Sequence, residues 1–285
     1  MRPDLTVIVP FYNAARTLET TLHSLPSPFS FRLLGVNDGS TDESALLFIE
    51  WSKNKPWVEL ITVDQNGGLG AARNTGLAAT VTPYVAFLDA DDQWIATTGQ
   101  ALQKAMRSPS PWMWAPIKEV HQNGMRRTRS TDVPHTPEAL VTGRSPFVPS
   151  TCVWHTETLR DLGGWDTDPL GVEDLGLWIR AMAAGLRAQP WSTLPQIEYS
   201  VTSDGLSGAL EKHADKIRYV WQTYTQQGLL AIDCLPAAER ELQRQMARTY
   251  HKSSRFDLAI QAYKKSSQNT KNKLLRWLAW MHWVV

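Results

Sequence analysis

Asp89-Ala90-Asp91-Asp92 directly follows the apolar run Val85-Ala86-Phe87-Leu88, which puts three carboxylates at the end of a segment that reads as a buried strand. Carboxylates a few ångströms apart in a partly desolvated site cannot all stay ionised without compensation. Either one is protonated, or a divalent cation with oxygen ligands sits among them. A cation in turn calls for an anionic ligand, of which a diphosphate is the commonest kind. The competing possibility is a solvated loop whose Asp caps a helix beginning near Gln93.

Three other segments carry groups of the same kind. Asp38-Gly39-Ser40-Thr41-Asp42 couples a turn to a helix start, with Ser40, Thr41 or Asp42 available as cap. That leaves Asp38 to accept hydrogen bonds from a ribose hydroxyl or a base N–H, unless the segment is a plain capped turn. Asn66-Gly67-Gly68-Leu69-Gly70-Ala71-Ala72-Arg73-Asn74 is glycine-rich but is neither GxGxxG nor a Walker A loop, so it gives little support to NAD or ATP. A backbone without Cβ atoms, with Arg73 on the first helical turns, suits close approach to a phosphate or to the carboxylates of a metal site. Glu173-Asp174 opens a helix that runs to about Ala184 and is stopped by Gly185. Carboxylates there either stabilise the helix dipole or move a proton.

The elements that must position these groups alternate over the first half. Leu5–Val9, Phe31–Val36, Val58–Val63 and Tyr84–Leu88 read as strands, and Ala15–Ser24, Asp42–Lys53, Leu69–Ala79 and Thr97–Met106 as helices. Such alternation implies right-handed crossovers and a mainly parallel α/β sheet flanked by helices, whose ligands bind off the carboxyl ends of the strands. Tyr12-Asn13, Asn37–Ser40, Asn66–Gly68 and Asp89–Asp92 all fall at such ends. The interval Trp112–Thr151 predicts a β-hairpin around Asn123-Gly124, with Lys118, Arg126, Arg127 and Arg129 as solvated or binding cations. From about Ala209 the chain predicts helices, with Ala247–Ser266 similar to a single tetratricopeptide-like hairpin. The expected division is 1–207, a helical subdomain 208–268, and an amphipathic C-terminal helix 269–285.

In that last segment Leu274, Leu278, Met281 and Val285 form one apolar stripe. No Asp or Glu follows Asp257, whereas Lys264, Lys265, Lys271, Lys273 and Arg276 do. This suits either an interfacial helix on an anionic membrane or a last helix packed on protein. The composition, with 42% hydrophobic residues and a net charge of +1, describes a globular chain without a global case for nucleic acid. Cys152 and Cys234 have neither CxxC nor His spacing, which argues for buried thiols in a reducing compartment. No basic leader precedes Leu5, and no stretch reaches the roughly 18 apolar residues of a membrane span.

Val7-Ile8-Val9-Pro10-Phe11-Tyr12-Asn13, Asn37–Asp42, Gly70-Ala71-Ala72-Arg73-Asn74-Thr75-Gly76, Phe87–Asp92, and Glu173-Asp174 with Leu177-Trp178-Ile179-Arg180 together resemble the family 2 glycosyltransferases. The resemblance covers about residues 4–207 and implies a GT-A fold that uses a nucleotide-diphosphate sugar, with a UDP-sugar as the expected donor. It implies that Pro10, Tyr12, Asp38, Arg73, Asp89 and Asp92 serve the nucleotide-sugar. Tyr12 would stack on the base, Asp38 would bind base or ribose, and Arg73 would order the pocket. Asp89 would face the ribose, Asp91 would hold Mn2+ or Mg2+ on the diphosphate with Asp92 in support, and Asp174 would be the catalytic base. A metal would neutralise the charge that appears on the diphosphate, and the base would take the acceptor proton during in-line, inverting attack.

Two departures shape the expectation. The Gln-x-x-Arg-Trp segment and membrane helices of processive synthases are missing, which implies transfer of one or few sugars. Tyr199-Ser200-Val201-Thr202 leads to Ser207 without the Arg and His that many single-transfer members carry there, which puts diphosphate contacts after the sheet in doubt. The resulting expectation is a cytoplasmic bacterial enzyme, peripheral on the inner face of the membrane, that acts on a glycan or polyprenyl-linked acceptor. The rivals are a degenerate nucleotide-sugar-binding module and a sugar-nucleotide pyrophosphorylase, against which Pro10-Phe11-Tyr12-Asn13 stands where a glycine-rich Arg loop belongs.

Overall fold

The structure is a computed structural model that describes residues 4–25, 31–107, 110–121, 125–129, 133–143, 145–201 and 210–266. In chain order the elements are β1 (Leu5–Phe11), α1 (Leu18–His23), β2 (Arg32–Asp38), α2 (Ser44–Ser52), β3 (Val58–Val63), α3 (Leu69–Ala79), β4 (Tyr84–Phe87), β5 (Gln93–Trp94) and α4 (Thr98–Ala105). They continue with β6 (Trp112–Trp114), β7 (Ile117–His121), β8 (Arg126–Arg129), α5 (Pro137–Thr142), β9 (Val153–His155), α6 (Thr156–Asp161), α7 (Glu173–Ala183), β10 (Gln189–Pro190), β11 (Ile197–Val201), α8 (Leu210–Gln226), α9 (Leu235–Lys252) and α10 (Phe256–Ser266). The chain divides into two compact units, one of Met1–Val133 with Pro146–Val201 and the other of Pro134–Ser145 with Thr202–Val285.

The first unit is built on a seven-stranded sheet in the order β10-β6-β9-β4-β1-β2-β3. β1 pairs parallel with β2 and β4, β2 parallel with β3, and β9 antiparallel with both β4 and β6. All seven residues of β1 are buried, as expected for a parallel strand covered on both faces. Leu5, Val7, Val9 and Phe11 share one core cluster with Leu18 and Leu22 of α1 and Phe48 of α2. Ile8, on the other face, meets α3 at Gly76, where an added Cβ would lie 2.6 Å from the Ile8 side chain. The mainly parallel α/β sheet expected from the sequence is what forms, and Val58–Val63 and Leu69–Ala79 keep the predicted bounds.

A second, four-stranded sheet, β5-β11-β7-β8, stands beside the first. Its β7–β8 pair is a hairpin within Trp112–Thr151, as predicted, although the same interval also holds β6 and α5. Lys118 and Arg126 pair with Glu198 at 2.9 and 3.1 Å, while Arg127 is exposed. No helix starts near Gln93. Gln93 and Trp94 instead pair antiparallel with Glu198 and Ile197, and the helix begins at Thr98. The cause is tertiary, since the other half of that ladder lies over a hundred residues away.

In the second unit α9 and α10 form a helical hairpin against which α8 and α5 pack on α9. Arg218 of α8 grips Glu239 of α9 in a two-pronged pair at 2.9 and 2.8 Å. The segment 269–285 lies outside the described residues. No described helix is long and apolar enough to cross a membrane, and both cysteines are unbridged.

Gly70 is the tightest approach in the first unit: a Cβ there would come within 2.0 Å of the Asp166 carbonyl oxygen. Helix propensity favours Gly70→Ala by up to about 1 kcal/mol, but displacing a backbone carbonyl costs about 1–3 kcal/mol. The variant should therefore unfold at lower denaturant than wild type. Equal midpoints would show that the backbone at Asp166 yields freely.

Candidate active site

The polar clusters meet off the carboxyl ends of β1, β2, β3 and β4. Pro10 helps make the opening. Leu88 N–H donates to the Ile8 carbonyl at 2.9 Å, and the next rung of a parallel ladder would be Pro10 N–H to Leu88, which proline cannot supply. Beyond that point the chain from Asp89 is released from β1. Pro10 itself is buried in the sheet opposite Val36.

After β1, Asn13 adopts a positive φ of 49° and ties two loops together. Its Oδ1 accepts from Thr41 N–H at 2.8 Å and Asp42 N–H at 3.3 Å, while its own N–H donates to Ser40 Oγ at 3.1 Å. Tyr12 beside it is 48% exposed, so its ring is open to a planar ligand. After β2, buried Asp38 accepts from Gly67 N–H at 3.0 Å and Gly68 N–H at 2.9 Å, one on each oxygen. The carboxylate therefore holds the glycine-rich loop and keeps its remaining lone pairs for a ligand. A side chain at Gly68 would be strained, because φ is +86°.

Arg73 on α3 is 0% exposed and joins the last two clusters. Its Nη2 donates to Asp89 Oδ1 at 2.7 Å and its Nη1 to Glu173 Oε1 at 3.0 Å, with the guanidinium 4.5 Å from the Trp165 ring. Burial works against the charge, yet Asp89 and Glu173 outweigh it and raise the Arg73 pKa. Of the two partners open to Arg73 in sequence, phosphate or carboxylates, the fold supplies carboxylates. Asp92 is 1% exposed and accepts from Ser150 Oγ at 2.6 Å, and the same hydroxyl accepts from Asp89 N–H at 3.1 Å. The choice between a protonated acid and a metal was thus incomplete: one guanidinium and one hydroxyl already compensate part of the cluster.

Asp91 is exposed. Partial desolvation by its surroundings, and then the charge of Asp89, hold its carboxyl above the usual value. Asp174, second residue of α7, is half-buried. Desolvation pushes it up to about 7, the charge of Glu173 adds to this, and Arg73 and the Leu175 N–H oppose. A carboxylate poised there can accept a proton near neutrality. Ser150 and Trp165 carry no signal in the sequence, and Asn74 stands there only as part of the glycine-rich segment, without a role of its own. Asn74 holds Trp165 through both its backbone groups, at 2.8 and 2.9 Å, and Pro149-Ser150-Thr151 has nothing to distinguish it from an ordinary turn. Thr202–Ser207 lies outside the described residues.

Among the described residues no group of three or more His, Cys, Asp and Glu is arranged to hold a metal by itself. A cation bound together with phosphates needs only one or two carboxylates and hard oxygen donors, and Asp91 beside Asp89 is a donor set of that chemistry.

Comparison with known proteins gives one family. The model of Glycosyl transferase family 2 matches residues 6–154. The chain is 31% identical over 169 residues to the uncharacterized glycosyltransferase YibD of Escherichia coli K12, covering 55% of this chain and 49% of the relative. It is 33% identical over 94 residues to WfgD of Escherichia coli, a UDP-Glc:alpha-D-GlcNAc-diphosphoundecaprenol beta-1,3-glucosyltransferase, covering 32% of this chain and 36% of the relative. This chain thus spans about half or less of the length of these relatives. Among solved structures, the mannosyltransferase PcManGT of Pyrobaculum calidifontis, in complex with GDP-Man and Mn2+, superposes with a TM-score of 0.63 at 21% identity over 99% of this chain and 81% of the other. That likeness shows the fold. With the family match extending over half of its length, the chain belongs to the family 2 glycosyltransferases and has their GT-A fold.

Proposed function

We propose that this chain transfers one or a few sugars, with inversion, from a UDP-sugar to a hydroxyl of a glycan or lipid-linked glycan. The observation that carries this is the meeting of Asp89, Glu173 and Asp174 around Arg73, which brings a diphosphate-type acidic loop and a proton acceptor tuned near neutrality into one crevice. The acceptor oxygen attacks the anomeric carbon as the bond to the diphosphate breaks, and its proton passes to Asp174. Tyr12 covers the base, Asp38 meets base or ribose through its remaining lone pairs, and Asp89 faces the ribose. Asp91, supported by Asp92, would hold Mn2+ or Mg2+, which supplies positive charge against the leaving diphosphate. UDP is favoured because WfgD, a relative in sequence, is named for UDP-Glc, whereas the GDP-Man neighbour shares the fold only. The setting is the cytoplasmic face of the membrane, with 269–285 as an interfacial helix, which rests on that segment's sequence alone.

Asp174→Asn should keep UDP affinity and lose about 10²-fold or more in kcat. Because the base acts as a carboxylate, wild-type kcat/KM should fall as pH drops through about 7. The stability consequence has the opposite sense. The folded pKa lies above the ordinary 3.8, so ionisation costs the folded state stability as pH rises, and Asp174→Asn at pH 8 should melt no lower than wild type. Wild-type turnover in the variant would reduce Asp174 to a helix-start residue.

Asp91→Ala, or chelation of wild type, should weaken UDP binding in a calorimetric titration. Equal affinity with and without Mn2+ in folded protein removes the metal. For the tail, a chain ending at Asn269 should stay folded but no longer co-sediment with vesicles containing anionic lipid, and full-length binding should weaken with salt. Absence of vesicle binding by the full chain would rule out the anchor.

A further inference from the structure

The helical unit has an open cleft where α8 meets the start of α9. It holds about 390 Å3 and is lined by Arg218, Trp221 and Thr225 of α8, by Leu235 and Glu239 of α9, and by Ile232 of the short 3-10 turn between them. Ile232 is 72% exposed. A lone apolar side chain on a surface needs no explanation, but one set in the wall of a cleft beside Trp221 and Leu235 is apolar surface waiting to be covered.

The described residues end beside this cleft. α10 turns back along α9, with the Arg255 N–H donating to the Tyr250 carbonyl at 2.9 Å and the rings of His251 and Phe256 edge to face at 5.5 Å. At 1.5 Å per residue α10 climbs about 16 Å, which returns its end at Ser266 to the first two turns of α9, where Glu239 lies. The Glu239 carboxyl is held below its ordinary value by the Arg218 hydrogen bond first, and the charge of Lys265 on α10 adds to this. The chain beyond Ser266 thus starts at the cleft. Its stretch 267–274 can extend to about 26 Å. Arg218 and Thr225 are only about 10 Å apart along α8, so Leu274 and the residues after it reach the cleft with slack.

Pattern and charge match as well. Leu274, Leu278, Met281 and Val285 fall on one stripe at helical spacing, flanked by Lys271, Lys273 and Arg276 with no acidic residue after Asp257. At the cleft one guanidinium, Arg218, is shared by two carboxylates, Asp215 and Glu239, each at 2.8 Å, and Asp233 stands exposed on the turn. We infer that the apolar stripe of 271–285 docks in this cleft over Ile232, Trp221 and Leu235, and that an anionic membrane competes with the cleft for the same stripe. This rests on the amphipathic reading of that segment and gives the stripe a site within its own chain when no membrane is near. A bilayer offers it greater apolar depth and more negative charge, so the exchange runs from cleft to membrane.

The test uses the full chain and its own thiols. Cys234 is half-buried on the turn between Ile232 and Leu235, whereas Cys152 is 0% exposed. Iodoacetamide labelling read by mass spectrometry therefore reports the cleft at Cys234, and an unlabelled Cys152 together with a thermal melt certifies each protein as folded. Leu274→Gln combined with Leu278→Gln should raise the Cys234 rate about 10-fold, as release of a docked segment exposes the turn. An unchanged rate overturns the inference whatever vesicles do. Protection that grows with protein concentration assigns the stripe to a second copy and also overturns it. Ile232→Gln, at an exposed position, should bind vesicles of equimolar phosphatidylcholine and phosphatidylglycerol up to about 10-fold tighter than wild type, because the competing site is weakened. Vesicle binding equal to wild type overturns the competition. If wild type binds no vesicles while the tail-dependent protection of Cys234 persists, the membrane anchor falls and the docking stands.

Discussion

A single buried cation organises the candidate active site. Arg73 has no access to water, so its charge is tolerated only because Asp89 and Glu173 meet it at hydrogen-bond distance and Trp165 lies against its face. Removing one member of such a group typically costs about 3–5 kcal/mol, since it strands the other charges. The arrangement also fixes geometry, because a planar guanidinium with two carboxylate partners sets their separation and orientation. Segments from α3, the loop after β4 and the start of α7 are thereby held in one register. α3 can come this close to the neighbouring backbone because Gly70 presents no Cβ to the Asp166 carbonyl and Gly76 none to Ile8.

The carboxylates around this cation are alike in chemistry and are separated by surroundings. Asp89 and Glu173 are engaged by Arg73, and Asp92 by Ser150. Asp91 and Asp174 are the two whose carboxyl groups are pushed upward, by desolvation first and by acidic neighbours second. Such sorting is how one fold obtains different roles from identical groups. Asp38 belongs to a separate part of the crevice, where two backbone N–H groups of the glycine-rich loop take up one side of its carboxylate.

Rigidity under α7 comes from tryptophan. Trp112, Trp154 and Trp178 stack with ring centroids 4.9 to 5.8 Å apart and planes within 8° of parallel. Aromatic pairs add about 0.5–1.5 kcal/mol each beyond the burial of their area. Trp178 lies on α7 and Trp165 meets both it and Phe87 of β4, so the helix carrying Glu173 and Asp174 is packed to the strand that ends at the acidic loop.

Much of the fold was legible from local pattern. β1, β3 and α3 follow directly from apolar periodicity and turn residues, since buried parallel strands read as continuous apolar runs and helices as 3.6-residue stripes. The order of the polar segments at strand ends was likewise written in the chain, because alternation of strand and helix fixes which ends face the same way. What could not be read was every feature whose partner lies far away in sequence. β5 has two residues and exists only through β11, α5 joins the C-terminal helices through its packing on α9 and through Glu138, which accepts from the Ala231 N–H, and Ser150 matters because it meets Asp89 and Asp92. Arg73 was visible as a cation near the crevice, but whether it faced phosphate or carboxylate depended on where α7 arrives, a hundred residues on. Residue type and spacing determine which groups can do the chemistry. Long-range packing alone decides their distances, and with them each group's charge.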